Sequence, residues 1–147
     1  MKLIDTEETV VLVTGASPSA EERDRPAAYA LKSEIDRRGA GHAYRRAVVV
    51  TDLWYLDNRT LQLNPTIAIG GPGANGVSEE FSPRLPTLYS RDEQVFVQGD
   101  LEGDLKRAAL WGVNAGCTAA AVEAFTTQGF LDDLLGRIWR FRVGTFV

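Results

Sequence analysis

The chain has 147 residues, with 16 Lys plus Arg against 20 Asp plus Glu, 44% hydrophobic residues and a single cysteine. A domain of this length buries about 70% of the surface its unfolded chain exposes, so there is material for one core and none for a second full domain, and the apolar content excludes a disordered chain. One cysteine excludes an intrachain disulfide or a cysteine-built metal site, no apolar run approaches the ~18 residues of a membrane helix, and Met1-Lys2-Leu3-Ile4-Asp5 lacks a secretory signal's apolar stretch, so a cytoplasmic protein is expected.

Thr9-Val10-Val11-Leu12-Val13-Thr14, closed by Gly15, is a continuous β-branched run of the kind that forms a central parallel strand covered on both faces. After the polar loop Ala16 to Ala20, the apolar residues Ala27, Ala28, Leu31 and Ile35 recur at helical spacing. With Asp24 as N-cap, Pro26 in the first turn and Gly39 as terminator, they predict a helix of about four turns. Ala47-Val48-Val49-Val50-Thr51, ending at Asp52, completes a strand-helix-strand unit, which is normally a right-handed crossover. A short helix is predicted over Asp57 to Asn64, ended by Pro65, and a third strand over Thr66 to Ile69. The strand runs into Gly70-Gly71-Pro72-Gly73-Ala74-Asn75-Gly76, followed by a short helix, Val77 to Phe81, that Ser82-Pro83 interrupts.

Thr87 to Tyr89 and Gln94 to Gln98 flank a polar turn, Ser90 to Glu93, and predict a hairpin. Ala108 to Val113 is another buried strand, ended by Asn114-Ala115-Gly116. Two helical pieces follow, Cys117 to Thr127 and Gly129 to Leu135 before Gly136, and Ile138 to Val143 alternates arginine with apolar residues as a half-exposed strand does. The expected architecture is a single three-layer α/β domain over residues 1–147. Its sheet is mostly parallel, with helices on both faces and an antiparallel hairpin or edge strand.

Three strands therefore end in glycine-containing turns, at Gly15, at Gly70 to Gly76 and at Gly112 to Gly116. In an open α/β sheet such ends share one edge, where helix N-termini and free amides converge and glycine lets backbone approach a ligand; glycines also serve simple tight turns. The candidate ligand-binding residues are Gly15, Ser17, Gly71, Gly73, Asn75, Asn114, Gly116 and Thr118. Gly71 to Gly76 satisfies GxGxxG after a predicted strand. Against a dinucleotide stand Pro72, which removes a donor, the brevity of the next helix, and the want of a second strand carrying a ribose-binding carboxylate. Thr14-Gly15-Ala16-Ser17 resembles the opening of short-chain dehydrogenases, yet Ser19 and Glu21 stand where that family has glycines, and Tyr29 and Lys32 are one residue too close for its YxxxK. A GxxxxGK[ST] phosphate loop is absent. These motifs name no cofactor.

Two residues are candidate catalysts. Cys117 opens a predicted helix, where the positive helix end favours a thiolate, although a free cysteine more commonly packs as a small apolar group. Asp52 follows a buried strand, where acids and metal ligands often project, and could equally cap the turn after it. His42, the sole histidine, falls in the turn before the second strand, at the edge opposite the glycine loops. Asp52, Asp57, Asp100, Glu102 and Asp104 match no cation loop in their spacing, so no metal is assigned. Arginine outnumbers lysine thirteen to three, but the net charge of -4 and the lack of a basic cluster bracketed by aromatics argue against nucleic acid. Trp54-Tyr55 and Trp139 with Phe141 are large apolar groups suited to lining a pocket or closing a subunit contact.

Ile67-Ala68-Ile69-Gly70-Gly71-Pro72-Gly73-Ala74-Asn75 resembles the GGPxxN turn of the C-terminal α/β domain in archaeal surface-layer proteins, and Leu110 to Phe125, a strand ending in glycine before a Thr-Ala-rich helix, is similar to a later segment of that family. The resemblance covers about residues 66–125. It implies a shared fold in which Gly70 to Asn75 and Asn114 to Thr118 are paired loops, and it implies no catalytic residue. Three functional readings follow. The first is a small cytoplasmic α/β binding or interaction domain that takes an anionic or nucleotide-like ligand at the glycine loops and self-associates. The others are a hydrolase or transferase using Cys117 or Asp52 at the same edge, and a structural self-associating subunit; no membrane or nucleic-acid partner is expected.

Overall fold

The computed structural model describes residues 4–139. Six strands form one sheet: β1 (Val10–Thr14), β2 (Ala47–Thr51), β3 (Thr66–Ile69), β4 (Thr87–Arg91), β5 (Val95–Asp100) and β6 (Arg107–Gly112), in the spatial order β2-β1-β3-β6-β5-β4. The first four in that order are parallel neighbours, and β5 and β4 continue the sheet antiparallel, each to the strand before it. The sheet is thus mostly parallel with an antiparallel hairpin at one side, as its sequence pattern predicts.

Alternation along the central strands divides the core in two. Val10 and Leu12 of β1, Ile67 and Ile69 of β3, and Ala108 and Leu110 of β6 face helices α1 (Pro18–Arg38), α4 (Ala115–Thr127) and α5 (Phe130–Ile138). Val11, Val13, Ala68 and Ala109 face the thinner layer of α2 (Asp52–Leu56), a 3-10 turn at Leu61–Leu63, and α3 (Gly76–Phe81). Each of the five β1 residues is buried, which is why that strand is apolar without interruption. No helix among the described residues is long and apolar enough to cross a membrane.

Several boundaries differ from the sequence pattern. Helix α1 begins at Pro18, not at Asp24: Ser17 Oγ accepts from the Ala20 amide at 3.2 Å, and Pro18 takes the first helical position, where its missing N–H costs nothing. Asp24 and Pro26 consequently lie inside the helix. The helix expected over Asp57 to Asn64 forms earlier, as α2, because Thr51 Oγ1 caps it through the Trp54 amide; the predicted span itself keeps only the 3-10 turn. Helix α4 starts at Ala115, since Asn114 caps it by accepting from the Cys117 amide at 2.9 Å. Helix α5 runs through Gly136 to Ile138, where four apolar residues keep it on the core, and left-handed Gly129 precedes it. Ile138 therefore ends a helix, and residues 140–143 of the predicted tail strand lie outside the described residues.

The hairpin turns through Asp92 and Glu93, both at φ +54, with the Gln94 amide donating to Arg91 O at 3.0 Å. The hairpin is tied back to the parallel half of the sheet by Trp111, which stacks on Phe96 at 4.4 Å and donates through Nε1 to Gln98 Oε1 at 2.8 Å.

Candidate functional site

Because β1, β3 and β6 are parallel neighbours, the turns at Gly15, Gly70 to Asn75 and Gly112 to Asn114 emerge side by side at one edge. The chain leaves β1 toward β2 on one side and returns to β3 on the other, so this edge also holds the sheet's topological switch point, where crevices in such folds open. Here the space between the first two loops is filled. A Cβ on Gly15 would stand 2.0 Å from Ala74 O, so backbone packs directly on backbone.

Two polar side chains lock these loops. Asn75, 1% exposed, donates through Nδ2 to Val13 O at 2.9 Å and Ile69 O at 3.0 Å, at the ends of β1 and β3, and its Oδ1 accepts from the Val77 and Ser78 amides. All its bonding positions are taken within the chain. Asp52 accepts from the Ala16 amide at 3.1 Å and its neighbour Leu53 at 2.8 Å through Oδ1, and from the Gly76 amide at 2.8 Å through Oδ2. One carboxylate thus joins the turns after β1, β2 and β3.

An open cleft of about 330 Å³ lies one strand over, between the turns after β3 and β6 and beneath the second turn of α1. Gly71, Gly73 and Ala74 form one wall, and Gly112 to Ala115 with Thr118 form another. The amides of Gly71 and Gly73, and of Ala115 in the first turn of α4, have no acceptor among the described residues. Thr118 Oγ1 accepts from the Gly112 amide at 3.1 Å, which leaves its own proton free to be donated. Arg23, on the α1 side, is exposed and donates through Nε to Ser19 O at 3.3 Å, with no carboxylate partner among the described residues.

Asp24, beside Arg23 on α1, completes the lining. It is 4% exposed, and among the described residues it has neither a hydrogen bond nor an ion pair. Burial pushes its carboxyl above the ordinary carboxylate range, and the neighbouring Arg23 charge only partly opposes this. Its Oδ2 sits where a side chain on Gly70 would be, 2.5 Å from a Cβ placed there, and Gly70 itself has φ +113, so glycine is required twice over at that position.

Of the residues picked out by sequence, Gly71, Gly73, Asn114 and Thr118 line the cleft. Gly15, Ser17, Asn75 and Gly116 are not on its walls, and their contacts are the packing, capping and bridging just described for the first three. Neither Asp52 nor Cys117 lines it. Cys117 is half-buried against the core, with its Cβ in contact with Gly112. His42 is exposed in the loop before β2, at the far edge of the sheet. Trp54 is exposed on α2, whereas Tyr55 is buried, its hydroxyl 2.8 Å from Thr66 Oγ1. Trp139 is partly buried and donates to Glu8 O at 2.7 Å, and Phe141 lies outside the described residues.

Sequence reasoning missed Arg23 and Asp24. The signal was present: Ala20, Asp24, Ala28, Leu31 and Ile35 form one stripe along α1, and a carboxylate inside an apolar stripe is out of place. Reading Asp24 as a cap gave it a role outside the helix and hid the anomaly.

A larger cavity of about 600 Å³ opens at the opposite pole, near Pro65 and Lys106, which precede β3 and β6. Its two cations are engaged: Lys106 Nζ donates to Gly103 O at 2.9 Å, and Arg137 pairs with Asp133 and Glu102. No cluster of three or more His, Cys, Asp or Glu suited to a metal ion occurs among the described residues.

The fold and cleft define a small α/β domain with a mostly parallel six-stranded sheet and an opening at the carboxyl ends of its strands. No family model matches the chain, and no curated protein matches it either.

Proposed function

We propose that the chain is a small-molecule binding domain that takes an anionic, nucleotide-like or sugar-phosphate-like ligand in the cleft between the turns after β3 and β6. The observation that carries this reading is the convergence there of unpaired amides from Gly71, Gly73 and the first turn of α4, beside Arg23, whose guanidinium has no carboxylate hydrogen bond among the described residues. A helix N-terminus and glycine amides both favour negative charge, and Arg23 adds a full positive charge to the same rim. A volume of about 330 Å³ lies at the small end of ligand pockets, which suits a mononucleotide or sugar phosphate rather than a dinucleotide.

Thermal unfolding in the presence of inorganic phosphate, ribose 5-phosphate and adenosine monophosphate tests this. A ligand at 100 times its Kd adds about 2.7 kcal/mol, or roughly 5–10 °C in Tm at this chain length. The informative variant is Ala115→Asp, because a carboxylate in the first turn of α4 favours the helix yet repels an anion in the cleft. The expected result is a melting temperature at or above wild type with the ligand response lost. No response to any of the three anions in the wild type, or an equal response in the variant, would overturn the proposal.

A further inference from the structure

The cleft's amides and Arg23 account for an anion, but not for Asp24. Asp24 has no hydrogen-bond partner among the described residues and only the neighbouring Arg23 charge to offset its burial, and the remaining positions of its helical stripe are Ala20, Ala28, Leu31 and Ile35, so packing alone asks for an apolar residue there. The walls supply donors at Thr118, Gly71, Gly73 and Ala115, and Asp24 is the one unpaired acceptor side chain among them that is nine-tenths buried. We infer that Asp24 receives a ligand hydroxyl, so that the cleft selects a phosphate monoester carrying a free hydroxyl group, on the scale of a pentose phosphate or nucleoside monophosphate, over a bare phosphate.

The choice of a hydroxyl follows from the surroundings. An ammonium group would enter beside Arg23 and the positive end of α4, adding charge of the same sign to the cleft. A metal ion would find a single carboxylate where several oxygen ligands are needed. An O–H donor satisfies the carboxylate without adding positive charge, while the phosphate of the same molecule meets the amides. Gly70 makes room for the carboxylate, since a Cβ there would stand 2.5 Å from Asp24 Oδ2.

The inference rests on the anion-binding reading above, and calorimetric titration separates the two. The probes are ribose 5-phosphate, methyl phosphate, which lacks a hydroxyl, and inorganic phosphate, each against wild type, Asp24→Ala and Asp24→Asn. Wild type is expected to prefer ribose 5-phosphate over methyl phosphate by about tenfold or more, the worth of one hydrogen bond to a charged group. In Asp24→Ala that ratio falls to near one, while methyl phosphate binds as well as before or better, because a negative charge has left the cleft. A purely structural Asp24 would change both affinities together. Asp24→Asn keeps the shape and one acceptor oxygen, so it retains part of the preference, and it decides the matter if Asp24→Ala does not fold. An equal affinity of wild type for the two esters, or an unchanged ratio in the variants, overturns the role of Asp24 and leaves the anion site standing. Failure of wild type to bind any of the three probes overturns both.

Discussion

Replacing Asn75 by alanine should be the most damaging single change at the carboxyl edge. The side chain satisfies Val13 O and Ile69 O, both buried, and caps α3 by accepting from the Val77 and Ser78 amides. Loss of the cap costs about 1 kcal/mol, and each buried carbonyl left without its donor costs about 1–3 kcal/mol more. The sum is about 3–7 kcal/mol, equivalent to roughly 10–20 °C in Tm for a chain of this length. Urea unfolding followed by far-ultraviolet circular dichroism measures it as a lower midpoint at an unchanged m-value. Asn75→Ser divides the effect: serine restores the cap acceptor but cannot reach both carbonyls, so it should recover about 1 kcal/mol and no more. A loss below about 1 kcal/mol in Asn75→Ala, or full rescue by serine, would refute the reasoning that Asn75 acts chiefly by tying the ends of β1 and β3 together.

Three further outcomes follow from the same structure. Asp52→Asn replaces a carboxylate that collects three backbone amides with a group that has one acceptor oxygen, and chemical denaturation should show a loss of about 1.5–3 kcal/mol. Glu93→Gly removes a side chain from a residue held at φ +54, and should raise stability by about 1 kcal/mol, read as a higher melting temperature. Asp24 holds its proton in the folded state to a higher pH than in the unfolded chain, so its stabilising contribution is complete below the ordinary carboxylate value and is lost as pH rises through the raised one. Asp24→Asn should therefore be more stable than wild type at neutral pH, with the difference closing as the medium is acidified, and parallel stability curves across that range would contradict the burial of an unpaired carboxylate.

Much of the fold is legible because its signals are local. The runs Val10 to Thr14, Ala47 to Thr51 and Thr66 to Ile69 are rich in β-branched residues, and each becomes a strand of the parallel half of the sheet. The hairpin is marked by its polar turn, although nothing in Asp92-Glu93 announces positive φ, which in a two-residue bend usually falls to Gly or Asn. The early helix starts share one cause: a capping residue upstream of the predicted start. Ser17 outbids Asp24, Thr51 starts a helix before Asp57, and Asn114 starts one before Cys117. In each case the upstream residue holds the first unpaired amides; Asp24 and Cys117 are absorbed into their helices, and Asp57 ends α2 as its C-cap.

The candidate site was legible only as an edge. Parallel neighbours put the glycine turns together, but which turns close on one another and which leave a cleft depends on contacts between residues far apart in sequence. Gly15 packs on Ala74, 59 positions away, and Asn75 reaches back 62 positions to Val13; together they close the switch point and move the opening one strand along, to the space between β3 and β6. Asn75, read as a ligand contact, and Asp52, read as a candidate catalyst, are both consumed in building that closure. Asp24, read as a helix cap, is buried with no hydrogen bond among the described residues. A polar residue that bonds its neighbours and one left without a hydrogen bond look alike in a sequence, and only their hydrogen bonds in three dimensions tell them apart.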